Sequence, residues 1–425
     1  MLNNAISHAG SFSRRRLLEA FAANAALAGT ATKYQVGVGR NNDPYAATKQ
    51  AIAACGQWPA AAMAGKTVAI KPNLVIPRPS STGATVDPEV VRAVVDMALA
   101  AGAEQVWIVE NGYGPPAPFK PCGYEPFRTY RDRVKLVDVS AHPLALAPVP
   151  NGLTYRGLYL PATMVQSDLF FISVGKLKTH VQTGATLSMK CLVGLASRAK
   201  YSVPKMLARQ DLHFHGMDES VVDLNLARPV HFAVIDGIWG MEGQGPLTGP
   251  PVRMNHVLAG LNPVAVDRIG LELMRLPQNS VMHLNYAAAK GMGPLDTSAI
   301  SVNGDMESRR FNPGPVFPRV WRPTPEPASF SLKAARPCAI SYRVSADCLV
   351  RAEIIQDSET EPTIKLIRTL RDWTPRPAGP DSLTWNGKAE DGAPVAPGTY
   401  LARIQAKFPK GWNVFYATSW VTVES

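Results

Sequence analysis

The stretch Thr67-Val68-Ala69-Ile70-Lys71-Pro72-Asn73-Leu74, with Asp87-Pro88-Glu89 and Gln105-Val106-Trp107-Ile108-Val109 after it, decides the fold. Thr67, Val68 and Ile70 are β-branched and close-spaced, which predicts a buried strand over 67–70. Asp87 and Pro88 then supply an N-cap and a first-turn proline. Val91, Val94, Val95 and Ala98 recur at helical spacing until Gly102 stops the helix. The next strand is 105–109. Strand, helix and strand at this spacing make a βαβ unit, whose two strands run parallel.

Working outward, further apolar strands are predicted at 136–139, 169–174, 232–235 and 257–259, and Asn262-Pro263 opens a helix through Val266, Ile269, Leu273 and Leu276. The expected fold class is therefore α/β, a mostly parallel, doubly wound sheet spanning 34–311. In such sheets ligands sit beyond the carboxyl ends of the strands, which directs attention to the loops after Ile70, Val109, Val174 and Ile235. Pro313, Pro315, Pro318, Pro323, Pro325 and Pro327 then predict a stiff linker over 312–328. Beyond it the apolar pattern changes to period two, with Ile340, Tyr342 and Val344, then Val350, Ala352 and Ile354, then Tyr400, Ala402 and Ile404. Such alternation over 329–425 predicts a C-terminal all-β sandwich.

A chain of 425 residues is long enough for two well-buried cores, and 46% hydrophobic with 18% charged residues is an ordinary globular composition. The net charge of +11 is unevenly spread: no Asp or Glu occurs over 169–210, while Lys176, Lys178, Lys190, Arg198, Lys200, Lys205 and Arg209 all do. Neither aromatic interleaving nor a helix-turn-helix pattern accompanies this basic run, so no nucleic-acid partner is expected. The five cysteines, Cys55, Cys122, Cys191, Cys338 and Cys348, include no C-x-x-C pair, so no iron–sulfur cluster is expected. Alternation about a turn near Ala346 would set Cys338 opposite Ile354 rather than Cys348, which predicts free, buried thiols.

Ser13-Arg14-Arg15-Arg16-Leu17-Leu18 precedes a short alanine-rich apolar run ending in Ala26-Leu27-Ala28. This arrangement resembles a twin-arginine (Tat) signal peptide over 1–31, which implies export to the periplasm or beyond it. No later stretch offers eighteen uninterrupted apolar residues, so no transmembrane span is expected in the mature protein.

Trp385-Asn386-Gly387, Asp391-Gly392-Ala393-Pro394-Val395 and Pro397-Gly398-Thr399-Tyr400 resemble the W-x-G, D-G-x-x-V, P-G-x-Y signature of the FlgD Ig-like domain. The resemblance implies an accessory module, with a possible envelope protein as its partner. The larger region resembles the DUF362 family through Lys71-Pro72-Asn73-Leu74, Gly175-Lys176-Leu177-Lys178-Thr179-His180, Thr186 with Lys190, Asp236-Gly237, Met241-Glu242-Gly243-Gln244-Gly245-Pro246, and Asp267. At Cys191 the family pattern usually has Asn. The family name denotes unknown function, so the resemblance implies a fold and a site without a reaction.

Lys176, Lys178 and His180 alternate after an apolar strand, so an extended backbone would place them on one face, beyond the strand end. With Lys71 and Lys190 they could bind a phosphate or carboxylate, with Lys178, His180 and Lys190 as catalytic candidates and Lys71, Asn73, Lys176, Thr186, Gly243 and Gly245 as ligand-binding candidates. The alternative is that these lysines close on Asp236, Glu242 or Glu110 as structural pairs. Asp236 and Glu242 could hold a divalent metal ion, magnesium, calcium or zinc, or Asp236 could cap backbone amides. His213 and His215 would share a face of an extended segment and could join His180 on a transition metal. No Gly-x-Ser-x-Gly, Walker-type or Gly-x-Gly-x-x-Gly loop occurs in the required context, so serine hydrolases, P-loop enzymes and common dinucleotide dehydrogenases are set aside. A divalent-cation-assisted enzyme and a non-catalytic envelope binding protein both remain.

Overall fold

The computed structural model describes residues 33–111, 116–202, 210–314, 317–334, 337–356, 364–411 and 413–425. The twin-arginine segment, Lys205 and Arg209 lie outside them. The α/β region contributes β1 (Tyr34–Arg40), β2 (Thr67–Pro72), β3 (Gln105–Glu110), β4 (Val134–Asp138), the hairpin β5 (Leu144–Pro148) and β6 (Gly157–Pro161), β7 (Phe170–His180), β8 (Gly184–Ala185), β9 (Phe232–Met241), β10 (Pro251–Gly260) and β11 (Ile300–Asn303). The main sheet has the order β11-β1-β10-β9-β7-β2-β3-β4, with β8 paired to β7. Along that path only β10 runs against its neighbours, so the sheet is mostly parallel.

Its strands are buried on both faces, and their side chains alternate between two cores. Val68, Ile70, Val106, Ile108, Ile172 and Val174 pack in one cluster with residues of the helices Pro44–Cys55 and Pro88–Ala100. Ala69, Val109, Phe171, Ala233 and Ile235 pack in another, with residues of the helices Met217–Ala227 and Pro263–Met274. The expected caps form: Asp87 accepts from the Glu89 amide at 2.9 Å and Asn262 from the Ala265 amide at 3.0 Å. After β2 the chain winds outward through β3 and β4. It then returns to the other side of β2 as β7 and winds the opposite way through β9. The reversal between β2 and β7 is the topological switch point, the position where open α/β sheets leave a crevice.

The C-terminal region consists of β12 (Val320–Glu326), β13 (Ser329–Ser331), β14 (Cys338–Val344), β15 (Cys348–Gln356), β16 (Lys365–Arg376), β17 (Gly379–Trp385), β18 (Gly398–Lys407) and β19 (Phe415–Glu424). They form one sheet of order β12-β14-β17 and another of order β13-β19-β18-β15-β16. Cys338, Ile340 and Trp385 of the first share a cluster with Ile354, Tyr400 and Val421 of the second. The expected linker over 312–328 needs correction, because 320–326 is strand β12, paired with β14. Pro323 and Pro325 are tolerated there because β12 is an edge strand and can lack amide donors on its open side. The second unit therefore starts near Val320 rather than at residue 329. All five cysteines are free and buried. The reason differs from the expected register, since β14 and β15 belong to different sheets and Cys338 faces Trp385.

The two units touch through specific polar contacts. Asp223 accepts from the amides of Leu153, Thr154 and Tyr155 at 2.7–2.8 Å and so shapes the 152–155 loop. That loop offers Thr154 Oγ1 to Thr418 at 2.9 Å and the Gly152 carbonyl to the Trp420 indole at 3.2 Å. Arg322 of β12 donates its amide to Tyr286 Oη at 2.8 Å. No described helix is long and apolar enough to cross a membrane.

A fragment beginning at Phe317 keeps β12 and should melt cooperatively, whereas one beginning at Ser329 loses an entire edge strand of a three-stranded sheet and should melt at a clearly lower temperature. Circular dichroism melts of the two fragments check this; equal midpoints would place the boundary back at residue 329.

Candidate functional site

Lys71 ends β2, Glu110 ends β3, Lys176 to His180 end β7, and Asp236 lies in β9 beside them. The switch point thus gathers cations and acids from four adjacent strands. Two of the lysines are closed pairs. Lys71 Nζ lies 2.8 Å from Glu110 Oε2 and 2.6 Å from the Pro72 carbonyl. The same Glu110 oxygen accepts the Leu74 amide at 2.9 Å, and its other oxygen accepts the Asn111 amide at 2.7 Å. A Cβ at Gly194 would lie 2.7 Å from Lys71 Nζ, so only glycine lets that backbone approach the pair.

Lys176 Nζ lies 2.6 Å from Asp236 Oδ2, with both side chains 0% exposed. Asp236 Oδ2 also accepts the Asp87 amide at 2.7 Å, and Oδ1 accepts the Ile238 amide at 2.9 Å. Burial raises the Asp236 pKa while the Lys176 charge opposes that rise. Asp236 therefore caps backbone amides as well as pairing with a lysine. Glu242 Oε2 accepts the Asn312 amide at 2.9 Å. Both Asp236 oxygens and Glu242 Oε2, of the two side chains expected to hold a divalent cation, thus accept backbone amides. Among the described residues no group of three or more His, Cys, Asp or Glu side chains is arranged to hold a metal ion.

Lys178 differs from its neighbours. It is fully buried rather than exposed at a strand end, and its Nζ donates to the Ala84 carbonyl at 2.6 Å. Burial, then the charges of Lys190 and Lys176, hold its pKa well below that of a free lysine. His180 accepts the Gln182 and Thr183 amides on Nδ1 at 3.1 and 3.3 Å. Two donors on Nδ1 require the proton to be on Nε2, and burial with Lys190 nearby keeps the ring neutral. Lys190 is itself buried and its charge acts on Lys178, His180 and His213, so these groups form one electrostatic cluster.

The remaining candidates divide. Thr186 donates its amide to the Lys178 carbonyl at 2.8 Å, and Asn73 donates its own to the Val174 carbonyl at 3.0 Å. Thr186 Oγ1 and Asn73 Oδ1 are both buried without a protein partner. Buried polar atoms are rarely left so, which marks both as places for a ligand contact. Gly243 and Gly245 have a backbone role instead: the Gly245 carbonyl accepts the Val181 amide at 3.1 Å, and a Cβ at Gly245 would meet the Thr179 carbonyl at 2.0 Å. They let the 241–246 loop lie flush against β7.

His213 and His215 do not share an extended face. Gln210–Phe214 is a helix, where residues two apart point in divergent directions. His213 adjoins the His180 cluster, while His215 stacks on Tyr155 with ring centroids 4.8 Å apart. A pair missed from the sequence lies nearby: His283 Nδ1 is 2.7 Å from Asp218 Oδ1, and its buried Nε2 has no protein partner. His283 is close enough to His180 to act on it electrostatically. These two residues are 65 positions apart and belong to different helices, so no local motif could have announced them. Asp267 accepts the Ser188 and Met189 amides at 2.8 and 2.9 Å, which fixes the backbone just before Lys190. Cys191 donates its thiol to the Lys71 carbonyl at 3.3 Å, bridging to the end of β2.

Residues 68–272 match the family model of a domain of unknown function, DUF362. That stretch is a DUF362 domain. It contains the switch point, both closed ion pairs, and Lys178, His180 and Lys190. The chain is also similar to the thylakoid-associated protein sll1697 of Synechocystis, 24% identical over 231 residues, which cover 54% of this chain and 70% of that one. Among solved structures it aligns at 12% identity with a DNA-bound alkylpurine DNA glycosylase of Pseudomonas fluorescens, covering 25% of this chain and 30% of that one, with a TM-score of 0.18. A β-glucosidase of Erythrobacter marinus aligns at 12% identity over 92% of this chain and 49% of that one, also with a TM-score of 0.18. At those scores neither likeness bears on the fold.

Breaking the Lys176–Asp236 pair by Asp236→Asn should cost about 3–5 kcal/mol, because a buried ammonium is left without its counter-charge. Adding Lys176→Met should recover part of the loss. Urea unfolding of the two variants tests this, and a single-variant cost below about 1 kcal/mol would show that the pair is not integral to the fold.

Proposed function

We propose that the DUF362 region binds a small anionic ligand, a phosphate or a carboxylate, at the switch-point cleft, with Lys178, His180 and Lys190 as the contacting cations and donors. One observation carries this reading. Lys71 and Lys176 each meet a carboxylate, whereas the hydrogen bond given by the buried Lys178 goes to a neutral carbonyl, and the Lys190 and Lys176 charges act on it more strongly than the opposing Glu110 charge. A bound anion would supply the missing counter-charge in a low-dielectric setting, where charge-assisted hydrogen bonds are strong. The unpartnered Thr186 Oγ1 and Asn73 Oδ1 add a donor and an acceptor for the rest of such a molecule.

The sign of the pH dependence follows. The unliganded Lys178 has a depressed pKa, and an anion favours its ammonium form, so binding takes up a proton and should weaken as pH rises. Calorimetric titration with inorganic phosphate and with small carboxylates should show affinity falling as pH rises. Lys178→Ala should reduce affinity by about tenfold or more, the worth of one charge-assisted contact. Every contact in this reading is made by protein groups, so magnesium, calcium, zinc or EDTA should leave binding unchanged. Affinity that is independent of both pH and Lys178 would overturn the reading.

The C-terminal region supports a second role, as an Ig-like accessory module that attaches the protein to an envelope partner. Trp385 lies between Phe330 and Tyr400, at centroid distances of 5.6 and 5.4 Å, and Tyr400 donates its hydroxyl back to the Ala396 carbonyl at 2.6 Å. A tyrosine tied to backbone a few residues upstream is a feature of Ig-type sandwiches. Export by the twin-arginine route is part of this reading: Arg14→Lys with Arg15→Lys should leave the protein in the cytoplasm, as cell fractionation would show, and normal export of that variant would remove the route.

A further inference from the structure

Lys178 invites a chemical reading that goes beyond charge pairing. We propose that its side-chain amine is a nucleophile that forms an imine with small carbonyl-bearing carboxylates, the class of 2-oxo acids. This rests on the anion-binding reading and names the ligand class for the same cleft.

The geometry separates Lys178 from the other two lysines of the cleft. Lys71 and Lys176 are held as ammonium ions by carboxylates at 2.8 and 2.6 Å. Lys178 is 0% exposed, and its Nζ bonds to the Ala84 carbonyl at 2.6 Å, a neutral acceptor that does not require the donor to be charged. An uncharged amine donating one hydrogen there keeps its lone pair for attack on carbon. Burial and the neighbouring Lys190 and Lys176 charges favour that uncharged state, the arrangement by which a lysine becomes nucleophilic near neutral pH. The Lys190 charge suits the carboxylate that a 2-oxo acid carries beside its carbonyl group. His180, two residues along the strand, carries its proton on Nε2 and is a neutral donor suited to a carbonyl oxygen.

The step balances without a further reagent. The amine lone pair forms the carbon–nitrogen bond while the carbonyl π pair moves to oxygen. One proton passes from nitrogen to that oxygen, giving a carbinolamine. The hydroxyl group then leaves as the nitrogen pair forms the double bond, and with the second nitrogen proton it departs as water. Nothing is oxidised or reduced until an external hydride is added.

The test is hydride trapping on the full chain. The protein is incubated with pyruvate or glyoxylate and sodium cyanoborohydride, and the adduct is located by peptide mass mapping. The expected result is one adduct per chain, on Lys178, suppressed by inorganic phosphate and absent in Lys178→Arg. Calorimetric binding of pyruvate and phosphate is measured in parallel. Adducts scattered over surface lysines, or labelling of Lys178 that phosphate does not compete, would overturn the nucleophile. If pyruvate binds but leaves no adduct on Lys178, the nucleophile fails and the anion site survives. If neither compound binds, both readings fall. Mapping and phosphate competition use the unmodified chain, so the test does not depend on the variant folding.

Discussion

The Lys176–Asp236 ion pair is the contact on which the rest of the site depends. It ties β7 to β9 at the crevice, and through the Asp87 amide it also fixes the start of the helix after β2. A charge pair with no solvent exposure needs further hydrogen bonds on its carboxylate, and Asp236 accepts two backbone amides besides Lys176. The consequence is geometric. With β7 held, Lys178 and His180 emerge at defined points on the same strand, and Lys71 is held separately by Glu110.

Three strand-end lysines buried close together would repel one another strongly. The structure solves this unequally. Two are paired with carboxylates, and the third donates to a carbonyl while the Lys190 and Lys176 charges outweigh that of Glu110. Such an asymmetry has little structural benefit, since an apolar residue at 178 would avoid the desolvation cost. Under the anion-binding proposal it is a group kept for a ligand, in line with the tendency of shifted groups to collect at functional sites.

The C-terminal sheets are joined to this arrangement. Asp223 shapes the 152–155 loop on which Thr418 and Trp420 rest, and Phe415 and Tyr416 of β19 line a small cavity with Gln182, His213 and Asp218. The β-rich unit thus forms part of the wall near the His180 cluster.

Local pattern determined much of this protein. Apolar periodicity and the Asp87 and Asn262 caps marked the βαβ unit and the mostly parallel sheet, because a strand buried on both faces must be almost wholly apolar and a helix start needs an oxygen acceptor. Motif spacing also singled out Lys71, Lys176, Lys178, His180 and Asp236 as neighbours, since strand ends at a switch point are brought together by topology. Tertiary structure alone decided which lysine met which acid, because pairing depends on the register between strands and not on separation along the chain. It alone turned 320–326 from linker into edge strand, since proline tolerance depends on whether a partner lies on both sides. It alone joined Asp218 to His283, two helices that touch only once the core has packed.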